Sequence, residues 1–144
     1  MGKNMDPYEE KLITGSLCSK KALVRGRVVA VMDAKLSHRG LQLIISPTRA
    51  LLSGEIHELI VTDEEDAGPG KVVNRIAYIG FFELEKGGVV AKGDKVILQG
   101  KSIGEIVGFD ETHAPNHLNI IIKSSKRKSG EELGVELGDM VTIG

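Results

Sequence analysis

Apolar residues from position 23 onward fall into short segments of two-residue periodicity, separated by glycine and polar clusters. Such a pattern predicts strands joined by turns. Residues 23–32 place apolar side chains on both alternating sets, as in a strand buried on one face and then on both. Residues 40–46 predict a second strand stopped by Pro47, and 48–53 a single helical turn. Residues 55–61 predict a strand with Ile56 and Ile60 on one face and His57 and Leu59 on the other. The apolar-rich segment 71–84 reads as a strand bent at Gly80, where a missing side chain permits a bulge. Residues 94–99 and 103–109 flank a Gly-Lys-Ser turn and predict a hairpin. In the last long strand, 117–123, Leu118, Ile120 and Ile122 share the better core face, and His117, Asn119 and Ile121 point the other way.

A short imperfect repeat punctuates this series. Gly-Val-Val-Ala-Lys-Gly-Asp-Lys-Val-Ile at 88–97 is echoed by Gly-Val-Glu-Leu-Gly-Asp-Met-Val-Thr-Ile at 134–143. In both, Gly-Asp makes a tight turn into a strand whose first inward residue is valine. About eight short strands at hairpin spacing predict an all-β fold, a small antiparallel β-barrel or sandwich with at most short helices. The expected organisation is one barrel-like domain over 23–144, preceded by an arm or short helix over 1–22 that Asp6 and Pro7 would open. Alternation of strands with long helices is absent, which excludes the usual dinucleotide-binding architecture. The sequence also lacks a glycine-rich phosphate loop and a nucleophile elbow.

Composition sharpens this picture. Val and Ile number 27 against 14 Leu and 8 Ala, a β-branched excess that suits pleated surfaces. Cys18 is the one cysteine, so neither an internal disulfide nor a cysteine-based zinc site is available. The longest apolar stretch, 76–82, is far short of the ~20 residues that cross a bilayer as a helix, and acidic residues break the first 20 positions. A cytoplasmic protein without membrane partners is the expectation. Net charge is -1 and aromatic residues make up 3%. Lys123, Lys126, Arg127 and Lys128 form the basic cluster, but without stacking aromatics or a basic balance they argue against nucleic acid as a partner. The acidic run 63–66 reads as a solvated loop, and Arg25, Arg27 and Arg75, standing in strands, call for carboxylate partners such as Glu55, Glu58 or Glu83.

The densest polar constellation is the loop 110–119. Asp110, Glu111, His113 and His117 put two carboxylates and two of the four histidines within eight residues, followed by Asn119. Pro115 breaks any helix there, so this is a loop between strands in which ligands can converge. Two imidazoles with Asp110 or Glu111 suit a divalent transition metal such as zinc, iron or manganese, and His38 would add a third imidazole if its turn lies at the same end. Alternatively His113, His117 and Asn119 take a small polar ligand without metal.

The run Gly-x-Ile-Val-Gly-Phe-Asp-Glu-Thr-His-x-Pro-Asn-His-x-Asn-Ile at 104–120 resembles a set of small prokaryotic proteins grouped as a domain of unknown function. The resemblance implies a β-rich fold and supplies no activity. The leading expectation is a small barrel that binds a metal or polar ligand through 110–119. The first alternative is a metal-dependent hydrolase-type enzyme in which Glu111 is the general base on a bound water. The second is a homo-oligomeric interaction module without a catalytic site.

Overall fold

Strict alternation of buried and exposed positions at the start of β1 (Val24–Leu36) sets the architecture: Val24, Gly26 and Val28 face inward and their neighbours face out. The computed structural model describes residues 18–144; residues 1–17, and with them most of the expected N-terminal arm or helix, lie outside the described residues. After β1 come β2 (Leu41–Gln42), β3 (Thr48–Leu51), β4 (Ile56–Thr62), β5 (Val72–Val73) and β6 (Ile76–Lys86). They are followed by β7 (Gly88–Ala91), β8 (Lys95–Leu98), β9 (Lys101–Asp110), β10 (Asn119–Lys123), the single helical turn α1 (Gly130–Leu133) and β11 (Met140–Ile143). Among the described residues no helix is long and apolar enough to cross a membrane.

Seven of these strands close a barrel in the order β1, β11, β8, β9, β10, β4, β6. The fold is all-β, as the periodicity predicts, and of the two expected architectures it is the barrel. Its pairs are antiparallel except β10 against β4, which run parallel with Asn119 beside Glu58 and Ile122 beside Val61. That pair departs from the purely antiparallel expectation. Residues 48–51 form a strand against β7 rather than the expected helical turn, and β2 pairs with β5. The expected bend at Gly80 is a register irregularity: Gly80 packs directly on the carbonyl of Ala30, where a Cβ would lie 2.3 Å from the oxygen.

The two repeat copies are neighbours. β8 and β11 pair antiparallel, with Val96 opposite Ile143 and Leu98 opposite Val141. Each is entered through the same turn: Asp94 Oδ2 accepts from the Ala91 amide and Asp139 Oδ2 from the Glu136 amide, both at 2.9 Å. The aspartates thus bond the backbone three residues behind them. Val96 and Val141 are fully buried, as the repeat predicts.

Two apolar clusters result. The barrel interior holds Leu59, Val61, Ile79, Phe82, Phe109, Leu118, Ile120 and Ile122, among others. A second cluster lies on the outer wall, where Leu41, Leu43 and Val73 cover Ile60, Val107 and Ile121. The wall of β4, β9 and β10 is therefore buried on both faces. Any polar side chain that alternation sends outward there is taken out of water.

Candidate functional site

Three such side chains are Glu58, Asn119 and Asp110. Glu58 faces outward because Leu59 and Val61 face in, and register places it beside Asn119 on β10, which in turn sits opposite Asp110 on β9. Glu58 is 4% exposed, and Asn119 and Asp110 1% each. The expectation that His117 and Asn119 point away from the core face holds, but Asn119 points into a buried layer rather than into solvent.

Asp110 organises the start of the loop. Its Oδ1 accepts from the Thr112 amide and from Asn119 Nδ2, both at 3.0 Å, and its Oδ2 accepts from Thr112 Oγ1 at 2.9 Å. A carboxylate only accepts, so the Asn119 NH2 must face Asp110 and its carbonyl oxygen must face the other way. Asn119 Oδ1 has no hydrogen-bond partner there. Glu58 Oε2 and His117 Nε2 are likewise buried and unpartnered. The His117 ring lies with Nε2 3.4 Å from Glu58 Oε1, close enough for ion pairing but not aligned as a hydrogen bond. Phe81 meets it edge-on at 5.0 Å and His113 stacks on it at 4.9 Å.

Burial pushes the Glu58 carboxyl up to about 7, against a smaller opposing pull from the Arg39 guanidinium. His117 is held below the usual imidazole range, first because burial disfavours the imidazolium, then because His113 and His57 add like charge; Asn119 works the other way. Near neutral pH the His117 ring is therefore uncharged, and Glu58 is divided between its protonated and ionised forms.

His57 completes the surroundings. Its Nδ1 accepts from the Leu118 amide at 2.9 Å, so its proton sits on Nε2, which lies 3.1 Å from Glu55 Oε1. Three of the four histidines thus gather where β4 and β10 begin. Beside them opens a cleft of about 280 Å³ lined by Arg49, Ala50, Glu55, His57, Ala114, Pro115, His117 and Leu118. A larger depression of about 610 Å³ lies at the other end of the barrel, around Leu98, Lys101, Lys126 and Val135. None of its lining side chains is among those left buried without a partner.

Residues 18–144 match the family described as Family of unknown function (DUF6917). The chain belongs to that family. No curated protein and no solved structure matches it. Membership in DUF6917 agrees with the expected domain of unknown function and supplies no activity.

The other loop residues take different places. Glu111 forms an ion pair with Arg49 at the protein surface. Asp110 is committed to Thr112 and Asn119, and His113 is exposed on the stacked face of His117. His38 is exposed on the bend after β1, which ends opposite Ile76 at the rim where β4 finishes, the end remote from the loop. Among the described residues no three His, Cys, Asp or Glu side chains come together to hold a metal ion. Glu58 escaped the sequence reading of the site, although a carboxylate between Ile56 and Ile60 on an apolar face was its signal.

Proposed function

We propose that this protein binds a small polar ligand through Glu58, His117 and Asn119, with Asp110 as the residue that orients Asn119. The observation that supports this is the adjacency of three buried polar atoms that the fold leaves unpartnered, Glu58 Oε2, His117 Nε2 and Asn119 Oδ1. Each such atom costs roughly 1–3 kcal/mol when left unmet. Three together amount to a large share of a domain's stability, and a bound ligand recovers it. The cleft that His117 lines would serve as the approach from solvent.

In this reading the general-base role expected of Glu111 moves to Glu58, because Glu111 is engaged by Arg49 while Glu58 is the carboxyl poised near neutrality. The test is an NMR screen of small polar fragments against protein labelled at histidine and asparagine side chains. Binding fragments should move the His117 ring and Asn119 amide resonances, and Glu58→Met should remove the response. Fragments that bind only around Lys101 and Lys126, or none that bind at all, would refute the proposal. Zinc, manganese and iron form a separate arm of the screen.

A further inference from the structure

We propose that the 111–118 loop is an acid-released latch: a second proton on His57 breaks the bond that holds the residue opening the β4–β10 seam, and the loop then leaves the cleft it bounds. The latch acts whether or not a ligand enters that cleft. Its centre is the hydrogen bond from the Leu118 amide to His57 Nδ1, buried and 2.9 Å long. A backbone amide only donates, so Nδ1 must be bare, and the ring proton sits on Nε2, 3.1 Å from Glu55 Oε1. The Leu52 amide and then His57 hold the Glu55 carboxyl below its usual range, so it stays an acceptor. An imidazolium donates from both nitrogens. A charged His57 therefore sets its new N–H against the Leu118 N–H, and the charged ring and the bonded amide exclude each other.

Position gives this one bond its leverage. The Leu118 carbonyl accepts from the Glu58 amide at 3.0 Å, and Asn119 beside Glu58 begins the parallel pairing, so the His57 bond is the outermost rung of the seam. Both of its residues line the cleft of about 280 Å³, to which the β3–β4 side contributes Arg49 and Glu55 and the loop contributes Ala114, Pro115 and His117. Around His57 stand Glu55, the counter-ion for a charged ring, with Arg49 from β3, Phe82 opposite on β6 and His117 from the loop. Around His117 stand Glu58, His113 and Phe81. The His113 and His117 rings, stacked at 4.9 Å, repel once both are charged, which adds to the release. Because burial holds His117 below 6.5, its contribution to stability is full above that value and is lost as pH falls through it, the opposite sign to Glu58. The far end of the loop is tied by Glu111 to Arg49, an ion pair without an imidazole, so opening starts at the 117–118 end.

Amide hydrogen exchange on the full chain, corrected for the intrinsic pH dependence of exchange, tests the latch. Between about pH 7.5 and about pH 5.5 protection of the Leu118 amide should fall about tenfold or more, with the amides of β8 and β11 unchanged. His57→Asn keeps an oxygen acceptor near the Nδ1 position that does not titrate, so Leu118 protection in that variant should change less than about twofold over the same interval. In the wild type the His57 Nδ1 nitrogen resonance should move from that of a bare acceptor to that of a protonated nitrogen as Leu118 loses protection. A Leu118 amide that stays protected after Nδ1 takes up its proton would overturn the proposal. So would an Nδ1 still bare at about pH 5.5, loss of β8 and β11 in step with Leu118, or an undiminished acid response in His57→Asn. The resonance measurement needs no substitution and decides the matter if that variant does not fold.

Discussion

Two buried polar groups sit at opposite ends of the same barrel, and they are built on opposite terms. At the α1 end Ser129 is fully buried, donates its hydroxyl to Asp33 Oδ1 at 2.8 Å and accepts from the Glu132 amide at 3.2 Å. Its own amide is met by Glu132 Oε1 at 3.0 Å, and Lys35 reaches that carboxylate at 2.9 Å. None of these side chains leaves a buried polar atom unpartnered. At the loop end Glu58, His117 and Asn119 each leave one. Completed networks rigidify a fold, and incomplete ones cost it stability. The first cluster is a completed structural network, and the second is the one on which the proposed ligand-binding reading rests.

Four substitutions break or sharpen this contrast. The largest effect belongs to Gly130→Ala, because a Cβ there would lie 1.9 Å from the Ile79 carbonyl oxygen and 3.2 Å from that of Met32. Since backbone on both sides blocks relief, α1 must leave its seat, at a cost of more than about 3 kcal/mol by urea denaturation. At the loop end the sign reverses. Glu58→Gln should stabilise the unliganded protein by about 2 kcal/mol at pH 8, since it removes a buried carboxylate.

That gain is pH-dependent in a defined direction. Arg39, His117 and the Asn119 amide are the charged and polar groups facing Glu58, with Phe81 across from it on β6. Between the ordinary carboxyl value of 4.5 and about 7 the native protein holds a proton that the unfolded chain has released. Wild-type stability from this group therefore falls as pH rises through that window, and the advantage of Glu58→Gln should vanish below it. Equal stability of the two proteins across that range would remove the basis for calling Glu58 strained.

Ser129→Ala comes next, a loss of about 1.5 kcal/mol in chemical denaturation, from the N-cap bond and the hydrogen bond to Asp33. The smallest change is expected of Glu111→Gln. Its pair with Arg49 is partly exposed, so thermal melts should show a loss under about 1 kcal/mol, shrinking further in salt.

Much of the barrel was legible from local pattern. Alternation at 118–122 assigned Leu118, Ile120 and Ile122 to the interior, where they lie, and the Gly-Asp repeat identified two strands with equivalent entrances. The β8 and β9 hairpin followed from its turn. What local pattern does not encode is pairing at a distance. Nothing near Glu58 announces that β10 lies beside it in parallel, and hydropathy alone could not show that Leu41 and Leu43 cover the outer wall. The same limit misdirected the arginines: Arg25 and Arg27 both approach Glu85, and Arg75 meets Asp63, rather than Glu55, Glu58 or Glu83. It also made the acidic run look merely solvated, whereas Glu64 Oε2 accepts from the amides of Asn74 and Arg75. Within the loop, His117 and Asn119 stand out because they belong to the densest polar cluster in the chain, and alternation sets the face they take. Glu58 breaks an apolar alternation, but its partners lie on another strand.

The parallel seam between β4 and β10 also has a kinetic meaning. Leu118 and His57, joined across it, are 61 residues apart in the chain. Contacts of that separation reward the chain only after a long loop has been closed, so they form late and slowly. A partly folded species with its hairpins made and this seam unzipped keeps Phe81 across from Glu58, yet has no Asn119 beside it. On the proposed ligand-binding reading the site is assembled only when that wall closes, and ligand capture during refolding would time that step directly.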